Sequence, residues 1–60
     1  MKREMKKWFK KAMKATEDYE YNHFKNAFYR SAKDLGYSKI ETIELWLDAL
    51  EKEKIFKNKD

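Results

Sequence analysis

Leu35-Gly36-Tyr37-Ser38-Lys39-Ile40-Glu41 is the stretch that decides the fold. Gly36 is the only glycine in 60 residues, and proline is absent. Glycine ends a helix cheaply because it enters the left-handed region with no Cβ to clash. Two residues on, Ser38 and Glu41 have the spacing of a capping box. In that motif a serine hydroxyl and a glutamate carboxylate each accept from a backbone N–H that the first helical turn leaves free. One helix therefore stops near Leu35, and another starts at Ser38.

Upstream of this turn, Met5, Trp8, Phe9, Ala12 and Met13 recur at i, i+3, i+4, i+7 and i+8, one face of an amphipathic helix. Tyr21, Phe24, Phe28 and Leu35 mark a second stripe. At 100° per residue the two stripes differ by roughly 130° in phase, so one continuous helix cannot aim both at one core. Thr16, followed by Glu17 and Asp18, reads as a helix N-cap with acids in the first turn, where the helix dipole favours them. The break is placed at Thr16. Downstream, Ile40, Ile43, Leu47 and Leu50 form one apolar face. Leu45, Ala49 and Phe56 form another nearly opposite, with Trp46 on its flank.

Composition agrees. Valine is absent, and Lys, Glu, Ala, Leu and Met, all strong helix formers, are abundant. The expected fold is all-α: a single domain over residues 1–60, built as a three-helix bundle. Its helices span about 2–15, 17–35 and 39–54, and residues 57–60 form a frayed tail. The expected core is Trp8, Phe9, Met13, Phe24, Phe28, Leu35, Ile40, Ile43, Leu47 and Leu50. A chain this short buries only about 60% of the surface its unfolded state exposes. With no cysteine to form a disulfide, stability must come from helix packing or a partner.

From Ala32 onward the chain resembles a helix-turn-helix. Ala32-Lys33-Asp34-Leu35-Gly36-Tyr37-Ser38 is similar to that family's turn, and Ile43 and Leu47 resemble its buried positions. Leu50 to Phe56 resembles the point where winged-helix proteins leave the recognition helix. Leu35-Gly36-Tyr37-Ser38 also looks like the loop of ubiquitin-associated domains, which share the αα corner. The resemblance implies a tri-helical architecture. It would make Lys39, Glu41, Thr42, Glu44, Leu45 and Asp48 the outward residues at the start of helix 3. Three of these six are acids, which repel phosphate. That surface suits a protein partner better than DNA.

Charge is unevenly spread. Residues 1–16 carry seven basic groups, Lys2, Arg3, Lys6, Lys7, Lys10, Lys11 and Lys14, against Glu4 alone. The rest of the chain is close to neutral, so the net charge of +4 sits in the first quarter. Such an arm suits an acidic partner, and lysines contact phosphate as point charges with little base reading. The competing reading makes Trp8 and Phe9 core and the lysines a solvated face.

Chemistry is sparse. Glu20-x-x-His23 has the spacing of one helix of a di-iron bundle, but that site needs two such helices. An exposed surface histidine is the simpler reading. No nucleophilic triad, phosphate loop or thiolate ligand set is present. Catalysis, a metal site and a cofactor are not expected. No apolar run approaches a membrane span, so a membrane partner is not expected either. Absence of cysteine suits a reducing, cytoplasmic setting.

The expected function is a small non-enzymatic regulator, an inhibitor or adaptor that binds another protein through Glu44, Leu45, Trp46, Asp48, Ala49 and Phe56. Self-association as a homodimer through the same stripe is a compatible variant. The alternative is a DNA- or RNA-binding module. It would use the seven basic residues of helix 1, with Lys25, Arg30 and Lys33 extending the patch.

Overall fold

The computed structural model describes the backbone of residues 2–58 and the side chains of residues 2–53. It contains three helices: α1 (Arg3–Lys14), α2 (Asp18–Asp34) and α3 (Lys39–Asn58). The all-α three-helix fold read from the sequence is the observed one, and no strand occurs among the described residues.

The turns form as the local chemistry dictates. Ala15 and Glu17 are extended, which separates α1 from α2. The break falls where the phase change demands it, but the cap moves by one residue. Glu17, not Thr16, occupies the N-cap, and it makes no side-chain capping bond. The Thr16 hydroxyl reaches instead towards the Glu20 carboxylate, at 3.4 Å. Between α2 and α3, Gly36 takes φ +94°. Its N–H donates to the Lys33 carbonyl, and the Tyr37 N–H donates to Ala32, both at 3.0 Å. This paired return is a Schellman motif, and it satisfies carbonyls that the helix end would otherwise orphan. The capping box then forms in full. The Ser38 N–H donates to Glu41 Oε1 at 2.9 Å, and the Glu41 N–H donates to Ser38 Oγ at 3.1 Å.

α3 runs four residues past the expected end at Lys54. Nothing between Lys54 and Asn58 is a breaker, and cations in a last turn complement the helix dipole. The helical backbone of α3 therefore includes Lys57 and Asn58 of the tail. Lys59 and Asp60 lie outside the described residues.

α1 and α2 form an antiparallel hairpin, the arrangement that a short connection between helices enforces. Met5, Phe9 and Ala12 of α1 meet Phe28 and Ala32 of α2, and all five are buried. Trp46 of α3 plugs the seam. Its ring meets Phe28 at 4.9 Å and Phe9 at 5.1 Å, edge to face, with Tyr21 and Tyr29 slightly further out. Edge-to-face geometry is the favourable one for aromatic quadrupoles. Ala49 and Thr42 flank Trp46 on the same face and are also buried. The Thr42 hydroxyl bonds back to the Ser38 carbonyl at 2.8 Å, which makes its burial affordable.

The expected core is right for α1, for Phe24 and Phe28 of α2 and for Leu50, and wrong for Leu35 at the turn and for Ile40 and Leu47 of α3. Phe9 and Phe28 are buried, and Trp8, Met13, Phe24 and Leu50 pack partly buried against them. Leu35, Ile40 and Leu47 are exposed, and Ile43 is half-buried. Leu35 fails because it sits at the C-cap, where the Schellman turn leaves the helical path. Tyr37 takes the inward place instead. α3 is rotated because Trp46 has the most apolar surface to bury and finds a ring-lined slot between α1 and α2. The small Thr42 and Ala49 beside it allow close approach. The aliphatic stripe Ile40-Ile43-Leu47 is longer, but it has no such slot to fill.

Candidate functional site

The rotation of α3 decides what the molecule offers to solvent. With Thr42, Trp46 and Ala49 inward, the opposite arc presents Ile40, 69% exposed, and Leu47, 57% exposed, with Ile43 between them. Leu35, at the end of α2, is 46% exposed. Isolated exposed leucines are ordinary, but aliphatic residues in helical register on one face are a surface feature to be explained. Glu41, Glu44, Asp48 and Glu51 run along the neighbouring arc and, between Leu45 and Leu47, line a shallow depression.

This corrects the expected protein-binding set. Glu44 and Asp48 are exposed at the rim, as expected. Leu45 is half-buried against the core. Trp46 and Ala49 are buried in the core. Phe56 lies on α3, but its side chain is outside the described residues. Ile40 and Leu47, expected in the core, are exposed instead, and Ile43 beside them is half-buried. The signal that could have found them is the pairing of one tryptophan with two small residues, Thr42 and Ala49, on a single helical face.

The acids of α3 are sparsely compensated. Among the described residues one ion pair forms, Lys52 Nζ to Asp48 Oδ2 at 3.3 Å, with both side chains exposed. The Glu41 carboxyl is held below the ordinary glutamate range, first by the Ser38 N–H that donates to it and then by the Ser38 side chain. It stays ionised on this face at neutral pH. Across the groove between α1 and α3, Lys6 and Lys10 share walls with Asp48 and Glu53.

The basic residues fall into separate groups. Lys2, Arg3, Lys6, Lys7, Lys10, Lys11 and Lys14 are all exposed on α1 and its N-cap. None forms an ion pair among the described residues. The Lys7 and Lys11 ammonium groups lie 5.3 and 5.7 Å from the Trp8 ring centroid, and Lys11 also lies 5.8 Å from that of Phe24. Trp8 and Phe24 stack with centroids 6.1 Å apart, so the ring pair sits under the lysine stems. Lys25 does not extend this surface. It is half-buried, with its ammonium 5.7 Å from Trp46. Arg30 and Lys33 gather with Lys39 around a depression between α2 and α3, lined also by Tyr29 and Tyr37. The patch expected to run from α1 through Lys25, Arg30 and Lys33 is therefore divided.

His23 is exposed, and its ring meets Phe24 edge-on at 5.4 Å. Among the described residues no three His, Cys, Asp or Glu side chains gather as a metal site would require. No described helix is long and apolar enough to cross a membrane. No family model, curated protein or solved structure matches the chain.

Proposed function

We propose that the protein is a small non-enzymatic module that acts by binding another protein through the outward face of α3. One observation carries the reading: Ile40 and Leu47 stand in register and more than half exposed, although the chain is short of core. A 60-residue domain has little apolar surface to spare. Leaving this stripe uncovered costs stability that a partner would restore. The acids beside it keep the free protein soluble and give the face a sign. Among the described residues no titratable side chain is fully buried: His23, Glu41, Glu44, Asp48 and Glu51 are exposed, and Glu20, Lys25 and Glu53 are half-buried.

The test is affinity capture with the wild type and with Leu47→Glu. A protein retained by the wild type, lost by Leu47→Glu and bound again as a purified pair supports the reading. Equal retention by both forms contradicts it, because Leu47 lies at the centre of the face.

A second reading is favoured by the exposed lysines of α1, none of which forms an ion pair among the described residues. They would hold the phosphates of a nucleic acid without reading bases. α3 is not the proposed nucleic-acid reader here. The helix-turn-helix resemblance would bring Glu41, Glu44 and Asp48 against phosphate, which is repulsive. If α1 neutralises four or so phosphates, affinity for duplex DNA should fall about a hundredfold between 50 and 200 mM salt. Absence of salt-sensitive binding at micromolar protein removes this reading.

A further inference from the structure

We propose that the outward face of α3 docks a cationic amphipathic helix of another protein. This rests on the protein-binding reading above and adds the partner's chemistry. Ile40, Ile43 and Leu47 stand at i, i+3 and i+7, which lays an apolar strip about 10 Å long along the helix. Advancing 100° per residue puts Glu51 and Glu44 directly beside the strip, within about 70° of its centre, with Asp48 and Glu41 next on the same side. Lys52 follows them and is occupied by Asp48. The other flank carries Leu50, half-buried against the core, and Lys39. The strip is therefore bordered by four carboxylates on one side only.

That asymmetry selects the occupant. In an antiparallel two-fold pair each flank meets its own copy. A second copy of α3 would then set Glu44 and Glu51 against Glu44 and Glu51, a like-charge contact that opposes association. Parallel pairing sets the four acids against Leu50 and Lys39, with Arg30 and Lys33 set back beyond Lys39 between α2 and α3, so the cations on that flank are fewer than the acids. The chain's own basic helix supplies charge of the right sign. Its apolar residues Met5, Phe9 and Ala12, however, are buried in its own core. Only a helix with both an apolar stripe and lysines or arginines along one edge satisfies the strip and the acids together. This is the helix-in-groove mode, with apolar anchors at i, i+3 or i+4 and i+7. Phosphate-bearing partners, whether nucleic acid or anionic lipid, are repelled by the same acids.

The experiment uses the whole protein and three fluorescein-labelled peptides, each about 15 residues long to allow helix formation. One has a leucine stripe with a lysine edge. The second has the same stripe with a glutamate edge. The third is a scramble of the first, with its charge but no stripe. Anisotropy is followed at low and moderate salt. The lysine-edged peptide should bind about tenfold or more tightly than either control, and more weakly as salt rises, because exposed pairs are screened. Leu47→Glu should weaken it about tenfold or more. The double variant Glu44→Lys/Glu51→Lys should reverse the preference between the two stripe-bearing peptides. All these sites are exposed on a helix, so circular dichroism should match the wild type.

Equal binding of the lysine- and glutamate-edged peptides, still sensitive to Leu47→Glu, overturns the cationic partner and leaves the protein-binding reading standing. Scrambled peptide binding as tightly as the first shows charge attraction alone and overturns the docking site. Failure of all three to bind overturns it too. A concentration-dependent dimer that sediments as a monomer after Leu47→Glu assigns the face to a second copy.

Discussion

At the residue scale, two positions carry more than their size suggests. Gly36 holds φ +94°, and a Cβ built there meets nothing within 4 Å. The penalty for a side chain is therefore conformational and not steric. Gly36→Ala should cost about 1–2 kcal/mol, the left-handed penalty for an L-residue, read as a lowered denaturation midpoint with an unchanged slope. Glu41 is the other. Its folded carboxyl titrates below the unfolded value, so its contribution is present above the unfolded pKa and lost as pH falls through the folded one. Glu41→Gln keeps an acceptor for the Ser38 N–H but removes that titration. Thermal melts from pH 6 down to pH 3 should show the wild type losing more of its midpoint than Glu41→Gln. Parallel acid limbs would mean that Glu41 ionisation is not linked to folding. Both residues were legible in the sequence because caps and turns are local. Their chemistry is complete within a few residues, whatever the rest of the chain does.

At the element scale the sequence was harder to read. α1 has one apolar stripe and one lysine face, so its periodicity admits a single orientation, and Phe9 is buried where expected. α3 carries apolar residues over more than half of its circumference, and periodicity then gives no single direction. The longer aliphatic run drew the core assignment to Ile40, Ile43 and Leu47. What decides the matter is tertiary: rings from α1 and α2 leave a slot with the shape of an indole. Ala49 is the close-approach residue beside that slot, sharing a groove with Phe9. Ala49→Leu should overpack it and cost about 1–3 kcal/mol by chemical denaturation. Leucine at a solvent-facing position would instead be neutral or slightly stabilising. The candidate site shared the fate of the element. Glu44 and Asp48 are exposed as their positions predict, while Trp46 and Ala49, expected on the surface, are buried and Ile40 and Leu47, expected in the core, are exposed.

At the scale of the whole molecule, the three helices share one small core rather than three pairwise ones. Trp46 touches aromatic residues of both α1 and α2, so neither the α1–α2 hairpin nor α3 has a complete interior alone. A peptide of residues 1–37 should accordingly show weak far-ultraviolet helicity and no cooperative melt, since short isolated helices are marginal in water. A cooperative transition in that peptide would show that α3 is an appendage. The same scale explains the charge. The basic α1 and the acidic face of α3 lie on one small body, which therefore presents opposite signs on different faces.

The rotation of α3 underlies the core, the candidate face and the proposed partner alike. Thermal and urea unfolding of Trp46→Ala beside Leu47→Glu tests it most directly, because the two residues are neighbours in sequence. Trp46→Ala should cost about 3–5 kcal/mol, as large aromatic truncations in cores do. That is most of the stability of so small a domain, so the variant should be largely unfolded at 25 °C. Leu47→Glu should stay within about 0.5 kcal/mol of the wild type, as exposed substitutions do. The reverse order, with Trp46→Ala folded and Leu47→Glu unfolded, would place the aliphatic stripe in the core and contradict the account.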